Sequence, residues 1–255
     1  MNGLVSLVGA GPGDPELLTV KAARRLDQAE VVFHDALVSP EVLALAHRAW
    51  RVPVGKRAGK KEVSQDDIHR LLVRTARRGR RVVRLKGGDP FVLGRGGEEA
   101  LALAEAGVPF EVVPGVSSAL AAPALANVPV THRGLASGFV VVSGHAETAW
   151  RPLLDALPPS SVTVVVLMGV AARARIATAL LARGWPAATP AAALFGASTP
   201  EAQGWFGDLA ALAREPATPG TGAPGCLCIG PVVGVAATLA RLKGRARDEA
   251  GSSAR

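Results

Sequence analysis

Residues 85–99 read Leu-Lys-Gly-Gly-Asp-Pro-Phe-Val-Leu-Gly-Arg-Gly-Gly-Glu-Glu and concentrate the chemistry of the chain. The apolar run Val82-Val83-Arg84-Leu85 reads as a buried strand, and Gly87 and Gly88 follow it. Glycines at that point let a ligand approach the main chain closely. Asp89 adds a negative charge, which repels phosphate and suits a cation. A second loop, Gly9-Ala10-Gly11-Pro12-Gly13-Asp14-Pro15, follows the run Leu4-Val5-Ser6-Leu7-Val8. Asp35, just past Val31-Val32-Phe33, stands where a dinucleotide-binding chain keeps its ribose-binding acid. That permits a nicotinamide-dependent dehydrogenase as one reading. The spacing G-x-G-x-G, the donor lost at Pro12 and the anion at Asp14 all oppose it. The two loops together point to a nucleoside ligand without phosphate, neutral or cationic.

Alternating strand-like and helix-like segments must position these loops. Apolar runs at 4–8, 31–33, 82–85 and 110–113 predict strands. Residues 15–29 predict a helix, and Ser64-Gln65-Asp66-Asp67 starts another with a capping-box pattern. Val113-Pro114-Gly115-Val116 breaks the rhythm, and Ser117 or Ser118 can cap the small-residue helix that follows. A second half repeats the pattern, with strands near 139–142, 162–167, 191–195 and 226–229 and helices near 171–183 and 232–242. This is the βαβ rhythm of an α/β protein with a mostly parallel sheet. The expected domains are 1–115 and 116–243, followed by a disordered basic tail over 244–255.

Composition narrows the function classes. Of 255 residues, 49% are hydrophobic, enough for one large or two medium cores. The net charge of +8 favours polyanionic partners. With 6 Phe, 4 Trp and no Tyr, base stacking is poorly served, so a small molecule bearing carboxylates is preferred over nucleic acid. No apolar run is long enough to span a bilayer, and the start lacks a secretory pattern, so a cytoplasmic protein without membrane partners is expected. Cys226 and Cys228 put two thiols on one strand face, as small core residues. No zinc-ligand spacing occurs, and no metal is expected.

Residues 9–15, Asp35-Ala36-Leu37-Val38-Ser39, Val54-Gly55-Lys56-Arg57-Ala58-Gly59, residues 85–99, Val113-Pro114-Gly115 and Pro129-Val130-Thr131-His132-Arg133 occur in this order. In these motifs the chain resembles the tetrapyrrole methylase family, from about residue 4 to about residue 233. The long middle motif with Val-Gly-Lys-Arg and Thr-His-Arg is similar to the branch that methylates uroporphyrinogen III. The resemblance implies two α/β domains with the active site in a cleft between them, and a homodimer. It also implies S-adenosylmethionine as methyl donor and two successive C-methylations giving precorrin-2, for sirohaem or cobalamin. Methylation of a later corrin intermediate is the alternative within the family, and another member of the fold would methylate protein or RNA. By resemblance, donor contacts fall to Pro12, Gly87, Gly88, Asp89, Val92, Ser117, Ser118, Met168 and Ala197. Asp35 matches the proposed proton acceptor and Lys56 the proposed proton donor, while Arg57 and Arg133 suit substrate carboxylates. The chain departs from the family at His34, where Tyr is frequent, and at Gly196-Ala197-Ser198, which replaces an Asn-Gly-Thr type turn.

Overall fold

The structure, a computed structural model, describes residues 3–55, 63–215 and 223–252. The chain divides into two compact units, Met1–Ser118 and Ala119–Arg255.

In the first unit the strands are β1 (Val5–Gly9), β2 (Val31–His34), β3 (Trp50–Pro53), β4 (Val82–Lys86) and β5 (Phe110–Val113). Helices α1 (Val20–Gln28), α2 (Pro40–Ala44), α3 (Gln65–Arg77) and α4 (Gly96–Glu105) connect them. The sheet order is β3-β2-β4-β1-β5, with every pairing parallel. A parallel sheet covered on both faces needs strands buried on both sides, which is why β1, β2 and β4 are buried at every position. Ala22 and Leu26 of α1 and Val42 of α2 pack with Val8, Val32, Val83 and Leu85 on one face. Ile68 and Leu72 of α3 and Leu103 of α4 pack with Leu7, Phe33 and Val82 on the other. Local chemistry fixes the helix starts: Thr19, Ser39 and Ser64 hydroxyls accept from the backbone N–H groups of Ala22, Val42 and Asp67. Parallel strands send the loops after β1, β2, β4 and β5 to one edge of the sheet, where ligands bind in open α/β folds.

Helix α5 (Ser118–Leu125) starts at the end of the first unit. The second unit then contains β6 (Phe139–Ser143), α6 (Glu147–Asp155), β7 (Thr163–Leu167), α7 (Arg173–Ala182), β8 (Pro190–Phe195), β9 (Gln203–Asp208), α8 (Leu209–Arg214), β10 (Gly225–Ile229) and α9 (Gly234–Ser252). Its sheet order is β6-β7-β10-β8-β9. Here the expectation of a mostly parallel sheet is corrected. Only β6 and β7 run parallel, while β10 is antiparallel to β7 and β8, and β8 to β9. The short link between β8 and β9 is too brief for a crossover, so it folds back. Trp150, Leu154, Ile176 and Leu180 cover one face of this sheet. Cys226 and Cys228 lie in the core on the other, where burial pushes both thiols up to about 12.

Other details also differ from expectation. The helix expected from residue 15 begins at Val20, after a 3₁₀ turn over Pro15–Leu17 whose N-cap is Asp14. Strands β3 and β9 carry no long apolar run and were not expected; both are edge strands. Helix α9 runs to Ser252, into the 244–255 stretch expected to be disordered, where alanine, arginine and glutamate favour helix. Among the described residues, no helix is long and apolar enough to cross a membrane.

Candidate active site

The loops at the carboxyl edge of the first sheet are joined by main-chain contacts. Gly11 donates to the Gly88 carbonyl at 3.2 Å, and Gly88 donates back to Gly11 at 2.8 Å. Ala10 donates to the Lys86 carbonyl at 2.7 Å. These bonds use the amides that a pyrophosphate would need, and Asp14 Oδ1 accepts from Glu16 N at 2.8 Å in the turn beyond. The dehydrogenase alternative therefore loses its binding loop. Asp89 ties in the loop after β5: its Oδ2 accepts from Gly115 N at 3.1 Å, and its Oδ1 from Phe91 N at 2.8 Å. Ser39 Oγ donates to the Gly13 carbonyl at 2.6 Å, which anchors the loop after β2.

Two kinds of glycine result. A Cβ on Gly9 would lie 2.6 Å from Gly115 Cα and 2.6 Å from the Gly88 oxygen. One on Gly115 would lie 2.3 Å from that same oxygen. These glycines let three backbones touch. Gly87 is different: it is exposed, and an added Cβ would meet only Leu37 Cβ, at 3.9 Å. No protein neighbour demands glycine there. The space a side chain would fill is left open beside the main chain.

The first unit thus brings Pro12, Gly87, Gly88 and Asp89 together, with Ser118 N within 3.3 Å of the Gly88 Cβ position. Ser117 beside it is buried. Val92 is half-exposed on the same loop, held through its amide to the Asp89 carbonyl at 3.4 Å. Leu93 and Arg95 both have positive φ, 52° and 57°, so this loop holds two non-glycine residues in the left-handed region. Arg95 pairs with Glu98 at 2.7 Å.

Asp35 follows β2 at this edge, where its amide donates to the Leu85 carbonyl. Gly55 packs against it: a Cβ there would lie 3.0 Å from Asp35 Cα. The Asp35 side chain is 31% exposed and accepts from Arg84 Nη2 at 2.5 Å. Arg84 and Lys86 alternate along β4, both facing the α3/α4 layer, and both are buried. Arg84 Nε donates to Glu99 Oε1 at 2.9 Å, and Lys86 Nζ to the same oxygen at 3.1 Å. Gln65 Nε2, at the start of α3, donates there too at 3.2 Å. Glu99 is fully buried, and its Oε2 has no partner among the described residues. Burial and the adjacent Arg84 guanidinium push the Lys86 ammonium below its ordinary range, against the pull of Glu99. The buried His34 ring turns Nδ1 to the Asp35 carbonyl at 3.1 Å.

Lys56 and Arg57 lie outside the described residues. Met168, Ala197 and Arg133 belong to the second unit. Met168 is half-exposed with φ 57° after β7. Ala197 is partly buried in the turn after β8, between Gly196 at φ 54° and Ser198 at φ 62°. Arg133 is exposed on a turn closed by the His132–Ala136 bridge. The residues missed from sequence are Arg84, Lys86 and Glu99. Two cations spaced two apart in an apolar strand were the available signal, as was Glu99 on the Gly96–Leu103 stripe of α4.

Comparison with known proteins gives this geometry a context. Residues 4–213 match the tetrapyrrole (corrin/porphyrin) methylases. A siroheme synthase of Chromobacterium violaceum is 48% identical over 239 residues, which are 93% of this chain and 51% of that protein. The chain spans about half the length of the siroheme synthases it matches. The uroporphyrinogen-III C-methyltransferase of Methanocaldococcus jannaschii is 43% identical over 242 residues, 92% of this chain and 98% of that one. The uroporphyrin-III C-methyltransferase of Thermus thermophilus, solved with S-adenosylhomocysteine, is 47% identical with a TM-score of 0.78, covering 91% of this chain and 100% of that one. With its parallel sheet, its laced glycine loops and these matches, the chain belongs to the tetrapyrrole (corrin/porphyrin) methylase family.

Proposed function

We propose that the chain is a uroporphyrinogen-III C-methyltransferase, converting uroporphyrinogen III to precorrin-2 by two successive methylations. The observation that carries this reading is the 43% identity kept over 98% of the M. jannaschii enzyme of that name. The glycine cradle and Asp35 supply a site that suits it. When bound, S-adenosylmethionine supplies an electrophilic methyl group on a sulfonium. Gly87, open and without a side chain, admits the donor close to the main chain, with Pro12, Gly88, Asp89, Val92, Ser117 and Ser118 around it. Asp89 works indirectly, because both its oxygens are engaged in fixing the loops. Met168 and Ala197 are donor-contact residues by the family resemblance alone.

A pyrrole carbon of the reduced macrocycle is electron-rich enough to attack a methyl group directly. The protein's part is to hold that carbon in line. Methylation leaves the macrocycle cationic until a proton departs. Asp35 stands partly exposed at the sheet edge, placed to stabilise that charge and take the proton on its carboxylate. Lys56 matches the family's proposed proton donor, and Arg57 and Arg133 bind carboxylates of the eight-carboxylate substrate. The enzyme works as a cytoplasmic homodimer, with neither nucleic acid nor membrane as a partner.

The test is anaerobic incubation with uroporphyrinogen III and S-adenosylmethionine, followed by mass analysis. A gain of two methyl groups is expected. No gain overturns the reading, and a methyl gained only on a later corrin supports the alternative. Asp35→Asn is expected to keep donor binding while turnover falls by about 10²-fold or more. Unchanged turnover removes Asp35 from the mechanism.

A further inference from the structure

Asp35 sits at an edge that substrate can reach, but its orientation is set from beneath. Its Oδ1 accepts from Arg84 Nη2 at 2.5 Å, and its Oδ2 has no partner among the described residues. Arg84 has no freedom of its own. Its Nη1 donates to the Leu85 carbonyl at 3.2 Å, and its Nε to Glu99 Oε1 at 2.9 Å. Glu99 is sealed from water and gathers Arg84, Lys86 and Gln65 on one oxygen. A buried guanidinium held at Nε and Nη1 presents its remaining Nη2 in a fixed direction to the carboxylate it meets. Pure fold stabilisation is a weak account of this arrangement, because buried ion pairs seldom outdo apolar packing of the same volume. Of the charged groups in the cluster, the partner of Nη2 is the one that faces outward: Asp35 is 31% exposed, against 3% for Arg84 and Lys86 and 0% for Glu99.

We infer that Arg84, held by Glu99, is a positioning residue for Asp35. It occupies Oδ1, restricts the rotation of the carboxylate, and leaves Oδ2 for the proton released from the methylated macrocycle. Lys86 on the same Glu99 oxygen directly precedes Gly87, so one buried carboxylate supports both the donor turn and Asp35. This inference rests on the proposed methyltransferase activity and goes beyond it by assigning control of Asp35 to residues that touch neither substrate nor donor.

The test is a double-mutant cycle of Arg84→Gln and Asp35→Asn in the full chain, assayed for methyl transfer to uroporphyrinogen III. Arg84→Gln is expected to lower kcat about tenfold or more while KM for S-adenosylmethionine stays within about twofold. In the Asp35→Asn background, adding Arg84→Gln is expected to change kcat by less than about twofold, because the group it positions is already gone. Arg84→Lys keeps the charge but not the Nη2 donor held in place through Nε and Nη1, and is expected to restore less than half of the lost kcat. If Arg84→Gln does not fold, Arg84→Lys takes its place in the cycle. Losses that multiply, an unchanged kcat in the single variant, or full recovery by Arg84→Lys would each overturn the inference. Wild-type protein that transfers no methyl group would instead refute the proposed function, so the two failures are distinguishable.

Discussion

Glu99 carries no surface and three donors, so removing it has a cost that can be ranked in advance. Glu99→Leu strands Arg84 and Lys86 without their shared buried counter-charge. Stability is expected to drop by about 3–5 kcal/mol, read as a lower urea midpoint. At the glycines the currency is space instead. Gly115→Ala drives a Cβ to 2.3 Å from the Gly88 oxygen and 2.8 Å from Gly9 Cα, so main chain must move. Affinity for S-adenosylhomocysteine is expected to fall about tenfold or more, measured by titration calorimetry. Residues of this kind were legible to different degrees. The glycines and Asp35 could be found because a strand ending in glycine and acid is a local pattern. The link from Asp35 to Arg84 and Glu99 was not, because it spans separations of 49 and 15 residues that only the pairing of β2 with β4 and the packing of α4 on the sheet close. Asp89 reads in the sequence as a charge suited to a cation, and the structure adds a role no local pattern shows, as double acceptor for the amides of Phe91 and Gly115.

Among the elements, β5 is one of the two edge strands of the first sheet and is held to α1 by Glu111. Glu111 pairs with Arg25 and with Lys21 at 2.7 Å, and accepts from Ser6 at 2.8 Å. The Arg25 hydrogen bond first, then those from Lys21 and Ser6, hold its carboxyl down at about 2, against 4.5 ordinarily. A depressed carboxyl stabilises the fold fully above its ordinary value. That support fades as pH falls from 4.5 toward about 2. Glu111→Gln is therefore expected to lose on the order of 2 kcal/mol at pH 7. It should lose little at the acid end, so its urea midpoint converges with wild type there. The first sheet was legible because parallel strands covered on both faces are written as unbroken apolar runs. The edge strands β3 and β9 were not, since half-covered strands need no such run. Strand direction in the second sheet escaped for another reason. The helices between strands resemble crossovers, and only the short β8–β9 link betrays a reversal.

At the level of the whole molecule, donor binding should register as stability. A ligand that binds only the folded chain, at a hundredfold excess over its Kd, adds about 2.7 kcal/mol. S-adenosylhomocysteine is thus expected to raise Tm by about 5–10 °C, followed by scanning calorimetry, and NAD is expected to leave Tm unmoved. Charge and composition alone reached no further than a small polyanionic partner; the ordered motifs across the chain narrowed that to a tetrapyrrole. The paired Gly11–Gly88 bonds have a consequence for descent. A seam stitched from amides and carbonyls is indifferent to most side chains, so mutation can rewrite the outward faces of these loops without unpicking it. Lineages are then free to alter what those faces accept while inheriting an unaltered seam. Drift should spare Gly9, Gly88 and Gly115 and accumulate around them.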